Sequence, residues 1–347
     1  MKKIKLGPKE VLFCINSIIN DINNCYLQAL VSNFNSSHKI KMTNMKKTLL
    51  FLLLLAVFAF SCNSRNNSSE TEDTTATSEE NTTEEITYSL EEVWATDSVF
   101  KTPESALYDA ANEVIYVSNI NLEPRKKDGN GFISKVSKTG EIISLKWVEG
   151  MHAPKGLGLY KDKLYVADID EIIVIDTKEG KISKRIPLKT AGMFNDVDVD
   201  TDGTVYFSDM DSSKVYRLNN DKIKLWYADS LDRPNGVKVE ESRILVSSFG
   251  KEDLIAVDKK TKAKTLLGKG IPKPDGIVQL IKDKLYLVSC WDGEIFLVKP
   301  GEEAKSLLNT KEAKINTADI GYIDAEKTLL IPTFFNNRLV AYKVKGL

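Results

Sequence analysis

The sequence predicts an all-β fold, a six-bladed β-propeller over residues 88–347, and three observations lead to that prediction. A short strand-like motif occurs six times, most copies are 40 residues apart, and no segment of useful length has helical periodicity. A repeat of about 40 residues that contains four short strands is typical of a propeller blade. A β-sandwich with coincidental spacing is the alternative.

Each copy of the motif joins a short polar triplet to the aliphatic strand that follows it. The triplets begin at Pro103, Pro154, Phe194, Pro234, Pro274 and Ala318. The first interval is 11 residues longer than the 40-residue steps, because it includes a Gly/Asn-rich loop around residues 128–131. The strand-like segment 86–94 has no blade of its own, so we expect it to complete the last blade beside residues 339–342.

Composition and cysteine spacing exclude several classes of function. The 48 basic and 49 acidic residues give a net charge of −1, and no basic cluster is interleaved with aromatic residues, so nucleic acid is not an expected partner. Of the four cysteines, Cys14, Cys25 and Cys62 precede the predicted domain, and only Cys290 lies within it. The domain therefore has no internal disulfide, and the lack of a Cys-x-x-Cys pair excludes zinc ribbons and thioredoxin-like chemistry.

Residues 45–61 have the features of a bacterial lipoprotein signal peptide. Met45 is followed by two lysines and an apolar run, and Ser61 precedes Cys62. We expect lipidation of Cys62 to anchor the protein in the membrane of the bacterial cell envelope, on the periplasmic side or in the outer membrane. A plain secretory signal or an uncleaved anchor is the alternative.

The segments on either side of the signal are expected to be non-globular. Because a signal peptide acts from the start of a chain, Met45 is the expected initiator, and residues 1–44 are an upstream extension without function. Residues 62–87 are rich in Ser, Thr, Asn and Glu, so they are expected to form a disordered tether.

Alignment of the six copies gives one column of polar residues, at the entry to the innermost strand of each blade. The column consists of Glu104, Lys155, Asn195, Asn235, Asp275 and Asp319. Side chains at this place converge on the central channel of a propeller, and a ring of carboxylate and carboxamide oxygens suits a hard divalent cation such as Ca²⁺. The alternative is that Pro-Asn-Gly and Pro-Asp-Gly are ordinary turns.

A second acidic run has the spacing of a calcium-binding EF-hand loop. It comprises Asp198, Asp200, Asp202 and Gly203. An EF-hand needs flanking helices, whereas both flanks here are strand-like, so we interpret the run as a polar strand and turn. A peripheral ion site is the alternative.

At the polar column the chain resembles the senescence marker protein/gluconolactonase family, also called regucalcin-like, over residues 95–347. The resemblance implies that Glu104, Asn235 and Asp275 hold a catalytic divalent metal, and that Asn195 contacts metal or substrate. It also implies a metal-dependent hydrolase of lactones or related esters. Asp275 would then position or deprotonate the attacking water, and Asn195 would orient the small-molecule substrate.

Several positions depart from that pattern. Met193 stands where sugar-lactone members often carry arginine, and Lys155 stands where paraoxonase-like relatives have histidine. We expect Met193, Lys155 and Asp319 to contact substrate, with Lys155 holding an anionic group, or else remaining a solvated rim lysine. His152 is interpreted as a loop residue.

Two aromatic residues are candidates for the lining of the pocket. Trp291 and Phe249 follow strands at the same end of their blades, so they line the pocket or pack into the core.

The sequence leaves two hypotheses for function, and the first is a calcium-dependent lactonase or esterase. The alternative is a non-catalytic propeller that binds a ligand or a protein at the cell surface, since propellers serve many functions.

Overall fold

The computed structural model describes residues 86–347, which form six four-stranded antiparallel sheets. The first strand of the described residues is β1 (Ser89–Ala95), which belongs to blade six, and the other five blades follow in chain order. Blades one to three contain β2 (Pro103–Asp109), β3 (Val114–Asn119), β4 (Gly131–Ser137), β5 (Ile142–Met151), β6 (Pro154–Tyr160), β7 (Lys163–Asp168), β8 (Glu171–Asp176), β9 (Lys181–Pro187), β10 (Phe194–Val199), β11 (Val205–Asp209), β12 (Lys214–Asn219) and β13 (Lys222–Tyr227).

The remaining three blades have the same order from the axis outward. They contain β14 (Pro234–Val239), β15 (Arg243–Ser248), β16 (Asp253–Asp258), β17 (Lys264–Lys269), β18 (Pro274–Ile281), β19 (Leu285–Cys290), β20 (Glu294–Val298), β21 (Lys305–Asn309), β22 (Gly321–Ile323), β23 (Thr328–Pro332) and β24 (Leu339–Lys345). Two 3-10 turns, Asp324–Glu326 and Phe334–Asn336, lie in blade six.

The innermost strands form a closed ring. Strands β2, β6, β10, β14, β18 and β22 each contact the next one, and β22 returns to β2. Blade six is completed by β1, which pairs with β24 so that Trp94 lies opposite Ala341. Both ends of the domain therefore share one sheet, as the sequence predicts, and the β-sandwich alternative is wrong.

The hydrophobic core consists of separate layers between neighbouring blades. One cluster joins Leu245 of blade four to Tyr286 of blade five, and another joins Tyr116 of blade one to Leu164 of blade two. The alternation of strand side chains explains this arrangement, because each sheet turns alternate residues toward its two neighbours. Six such layers hold the ring together and fix the inner strands around the axis.

The predicted segments upstream of the propeller lie outside the described residues. These are the extension 1–44, the signal 45–61 with Cys62 beyond it, and all but the last two residues of the tether 62–87. Within residues 86–347, no helix has the length and apolar character to cross a membrane.

Candidate functional site

The inner strands of blades one to five carry a β-bulge at the same place. The register between inner and second strand shifts between Pro103 and Ala106 in blade one, and between Pro274 and Ile277 in blade five. Blades two, three and four have the shift at the equivalent positions. A bulge leaves residues unpaired and re-aims their side chains. The polar column lies at these bulges, so its side chains are freed from the regular pleat.

The glycines after the column are required by packing between blades. Gly156, Gly236 and Gly276 lie within strands and have ordinary negative φ values, which contradicts the interpretation of these triplets as turns. A Cβ at Gly236 would collide with the carbonyl oxygen of Asp275. Glycine is therefore needed because neighbouring inner strands approach closely at the level of the column.

Four oxygen atoms of the column are buried without a hydrogen-bond partner. They are Glu104 Oε2, Asn195 Oδ1, Asn235 Oδ1 and Asp275 Oδ1. Nine buried side-chain nitrogen or oxygen atoms in the described residues lack a partner, so nearly half of them belong to this one column. Leaving such a group unpaired costs about 1–3 kcal/mol, and more if it is charged. We call these four residues the oxygen ring.

Glu104 and Asp275 are buried carboxylates whose charges affect each other. Burial raises the pKa of Glu104 well above its usual range, and the charges of Asp275 and Asp319 raise it further. Glu104 begins blade one and Asp275 begins blade five, with blade six between them. An electrostatic effect between non-adjacent blades is consistent with two side chains that lie near the axis.

Asn235 is adjacent to Asp275 in the ring. Burial raises the pKa of Asp275 well above its usual range, Asp319 raises it further, and a hydrogen bond from the Asn235 side chain lowers it. The amide nitrogen of Asn235 thus donates to the carboxylate of Asp275, while the Oδ1 of Asn235 remains unpaired. Asn195, in blade three, has its Oδ1 in the same unpaired state.

The donor set fits a hard divalent cation that accepts amide oxygens. No group of three or more His, Cys, Asp or Glu side chains within residues 86–347 is arranged to hold a metal. Any cation in the oxygen ring would therefore use two carboxylates and two asparagine amides. Ca²⁺ uses such mixed oxygen ligands, whereas zinc and copper favour the nitrogen and sulfur ligands that are missing here.

Lys155 is the single cation of the column and is fully enclosed. Its Nζ donates to the carbonyl oxygens of Ala153 at 2.9 Å and Pro124 at 3.1 Å. Burial lowers the pKa of Lys155, and the charge of Glu104 opposes that effect. Lys155 is only 2 % exposed, so the alternative of a solvated rim lysine is wrong. Its contact with an anionic substrate group stays a prediction.

The segment between β3 and β4, residues 121–130, crosses from blade one toward blade three on the side where the inner strands begin. Arg125 makes a bidentate ion pair with Asp211 of blade three, with N–O distances of 2.5 and 3.1 Å. Lys127 pairs with Asp170 of blade two at 2.5 Å. Together with the bond from Lys155 to the carbonyl of Pro124, these contacts fasten the segment, which we call the strap.

A second polar layer lies one step further along the inner strands and is fully partnered. It includes Asp319, which the sequence alignment assigns to the polar column; that assignment is wrong by one residue, because Asp319 lies against Gly276 as Asp196 lies against Gly156. Asp196 accepts backbone hydrogen bonds from Val197 and Val237, both at 2.6 Å. Asp319 accepts a hydrogen bond from Ser105 Oγ at 2.5 Å. We call Ser105, Asp196 and Asp319 the channel layer; they line an axial cavity of about 220 Å³. Contact between Asp319 and substrate stays a prediction.

The other predicted residues have ordinary structural contacts. Met193 is 7 % exposed, and its backbone N–H donates to Asp209. His152 accepts a hydrogen bond from the Gly129 N–H at the base of the strap, which agrees with its interpretation as a loop residue. A role for Met193 in contacting substrate stays a prediction.

The EF-hand-like run serves the strand and the turn. Asp198 accepts the backbone N–H of Val239 in the next blade at 2.8 Å, and Asp202 accepts the N–H of Thr204 at 2.8 Å. Asp200 pairs with Lys259 at 2.5 Å. Each carboxylate thus has a protein partner, as the interpretation of a polar strand and turn expects.

Asp196 is the main residue of this region that was not predicted from the sequence. It directly follows Asn195 in the triplet Phe194-Asn195-Asp196, so the available signal was an acidic residue next to the column. Its partner Val237 lies in another blade, and that contact depends on how the blades approach each other.

Comparisons with known proteins support the fold. No family model matches the chain, and no curated protein matches it. A propeller from a nidogen/laminin complex is 16 % identical with a TM-score of 0.52, covering 64 % of this chain and 84 % of that one. A streptogramin B lyase is 10 % identical with a TM-score of 0.54, covering 75 % of this chain and 98 % of that one.

A third solved structure is a catalytically inactive variant of virginiamycin B lyase from Staphylococcus aureus with quinupristin. It is 13 % identical with a TM-score of 0.50, covering 74 % of this chain and 99 % of that one. At these identities the similarity shows the six-bladed propeller fold alone. These neighbours are two lyases and a protein complex, and what they act on or assemble with is a property of those proteins.

Proposed function

We propose that this propeller binds a divalent cation, Ca²⁺ in the first instance, and hydrolyses lactones or related esters. One observation carries the proposal: Glu104, Asn195, Asn235 and Asp275 each present a buried oxygen without a partner. The resemblance to the gluconolactonase family assigns the same residues to a catalytic metal. A set of oxygen atoms left unpaired at the axis has a physical reason if it serves a cation.

The proposed chemistry places one task on each residue. A divalent cation, when bound, polarises an ester carbonyl and stabilises negative charge on its oxygen. Asp275 takes a proton from water as the water oxygen bonds to the carbonyl carbon. The ester C–O bond then breaks, and that proton passes to the leaving oxygen, which yields a hydroxy acid from a lactone. Asn195 orients the substrate.

Asp275 is the proposed general base because of its place in the oxygen ring. Burial raises its pKa in the metal-free protein, whereas a bound cation would lower that pKa, so the raised value is not evidence for the role. Lys155 contributes a fixed positive charge beside Glu104 in the same column. With Glu104 and Asp275 ionised, the oxygen ring itself carries two negative charges, which a divalent cation balances.

A second candidate is a propeller in which the cation is structural and the exposed face binds a partner. The four oxygens of the ring are inaccessible to solvent, which favours this candidate because a catalytic metal needs an open position. The nidogen/laminin propeller shows that this fold also occurs in protein complexes. In either case we propose that a lipid on Cys62 anchors the protein to the bacterial cell envelope.

The test compares thermal stability and hydrolysis in the domain that begins at residue 86. We expect millimolar Ca²⁺ to raise the melting temperature, since a ligand at 100 times its Kd adds about 2.7 kcal/mol. Asp275→Asn, which keeps the side-chain shape, is expected to abolish that shift. Asp292→Asn removes the same charge near the face, where it pairs with Lys273, and is the matched control.

Hydrolysis of a lactone panel, with Ca²⁺ or with chelator, separates the two candidates. Activity that requires Ca²⁺ and is lost at least ~100-fold in Asp275→Asn supports the hydrolase. A calcium-dependent shift without activity on any lactone or ester supports the structural cation instead. No thermal shift at millimolar calcium, magnesium or manganese would contradict both.

A further inference from the structure

An apolar residue follows the second strand in most blades, at the end where the inner strand begins. Pro154 pairs with Asp168 and Pro274 pairs with Cys290, so the next residues, Ile169 and Trp291, emerge beside the oxygen ring. Blade six has Phe334 two residues beyond β23. The set, which we call the apolar collar, is Ile120, Ile169, Met210, Phe249, Trp291 and Phe334.

Four of the six collar residues converge near the axis. Ile120, Ile169 and Phe334 belong to one apolar cluster, and Trp291 packs against it. These residues come from blades one, two, five and six, whereas the other core clusters lie between neighbouring blades. The same cluster contains Ala318, which directly precedes Asp319 of the channel layer, as Asn195 of the oxygen ring directly precedes Asp196. The collar is therefore a layer beside the oxygen ring.

Part of this aromatic surface is not sealed in the core. Trp291 and Phe249 are half-buried, and Phe335, which meets Trp291 edge to face at 6.0 Å between ring centroids, is 62 % exposed. Phe334 has a φ of +47°, a left-handed conformation that is uncommon for bulky residues and recurs at ligand-binding positions. The accessible part of the collar is therefore Trp291 and Phe249, whereas Ile120, Ile169, Met210 and Phe334 are buried.

We propose that the collar binds the alkyl or aryl part of a lipophilic lactone or ester whose carbonyl reaches the oxygen ring. This inference rests on the proposed function and names its substrate class. The indole N–H of Trp291 is the collar's one polar side-chain group, so hydroxyl groups of a polyhydroxylated substrate would lose their hydrogen bonds there. An apolar chain instead gains about fourfold in binding for each methylene it buries.

The test is a matched set of δ-lactones assayed with Ca²⁺. We expect kcat/KM for the lactone with a butyl substituent to exceed that for unsubstituted δ-valerolactone by about 100-fold, with glucono-δ-lactone the poorest. Trp291→Ser and Phe249→Ser are expected to reduce the butyl preference about tenfold. Leu225→Ser is the control, because Leu225 is an exposed apolar residue on the outer strand of blade three. Equal kcat/KM for all three lactones would overturn the collar proposal.

A binding experiment distinguishes failure of the collar proposal from failure of the proposed hydrolase activity. The corresponding butyl δ-lactam, an amide that resists hydrolysis, is titrated calorimetrically into wild type, Trp291→Ser and the exposed variant Phe335→Ser. Lactam binding that needs the butyl group and weakens in both variants, without hydrolysis of any lactone, supports the collar and overturns the hydrolase. Hydrolysis without butyl preference, and without butyl-dependent lactam binding, supports the hydrolase and overturns the collar proposal. No binding and no hydrolysis would overturn both.

Discussion

The oxygen ring and the channel layer place buried carboxylates close together on the same inner strands, yet their hydrogen bonding differs. Glu104 and Asp275 each keep an oxygen without a partner, whereas Asp196 accepts two backbone N–H groups and Asp319 accepts the Ser105 hydroxyl. Burial and a raised pKa are common to both layers. Hydrogen-bond satisfaction therefore separates a candidate ligand site from a structural network, and burial does not.

The sharpest test of this comparison removes one carboxylate from each layer. Asp196→Ala leaves the N–H groups of Val197 and Val237 without their acceptor, so we expect it to lower the free energy of unfolding by about 3 kcal/mol. Asp275→Ala removes a buried charge with an unpaired oxygen, so in chelator it should change stability little or increase it. Urea denaturation with EDTA measures both.

The outcome in Ca²⁺ completes that test. Wild type and Asp196→Ala should both gain stability from the cation, although Asp196→Ala starts from a lower value. Asp275→Ala should gain none. If Asp275→Ala is as unstable as Asp196→Ala in EDTA, the two layers do not differ in the way their hydrogen bonds indicate.

The second prediction concerns the pH dependence of the channel layer. Burial raises the pKa of Asp319 to about 6, which the hydrogen bond from Ser105 partly opposes. Since an unfolded aspartate titrates near about 4, the folded state holds this proton more tightly. The resulting stability is fully present below about pH 4 and is lost as the pH rises through about 6, on the order of 3 kcal/mol.

Asp319→Asn isolates that contribution. In EDTA, the wild type should lose stability between about pH 4 and about pH 6 by more than the variant does, as measured by thermal melts across this range. Glu104 and Asp275 also have raised pKa values, so part of the slope should remain in Asp319→Asn. Identical slopes in the two proteins would show that Asp319 does not hold an extra proton in the folded state.

Periodic features of the molecule were predictable from the sequence. The predicted triplets at Pro103, Pro154, Phe194, Pro234 and Pro274 coincide with the first residues of five inner strands. The reason is physical, because each blade repeats the same strand lengths and the same close approach after the column. The repeat also places the four residues with unpaired oxygens in one column, together with Lys155 and Asp319, since equivalent positions in a propeller face one axis. The resemblance to the gluconolactonase family then singles out the four.

Features that break the repeat were not predictable in the same way. The strap has no counterpart in the other blades, and its contacts from Arg125 to Asp211 and from Pro124 to Lys155 join residues far apart in sequence. Asp196 likewise owes its role to Val237 in the next blade. Such contacts depend on how the blades pack against each other, and the local sequence around Arg125 or Asp196 does not predict that packing.

The smallest expected effect belongs to the strap, which covers the face near the oxygen ring. The ion pair between Arg125 and Asp211 is exposed, with 59 % and 37 % of the two side chains accessible, so its loss should change the free energy of unfolding by less than about 1 kcal/mol. Asp211→Asn breaks the pair without altering the sequence of the strap. We therefore expect trypsin to cleave after Lys126 or Lys127 a few-fold faster in this variant, because only local opening is affected.

The control for this strap prediction is Asp221→Asn, which breaks the exposed ion pair with Lys184 elsewhere in the protein. Trypsin should cleave this variant at the wild-type rate. High salt should bring the wild type toward the variant, since it screens the same pair; a strap that is equally protected in Asp211→Asn is held by Lys155 and Lys127 alone.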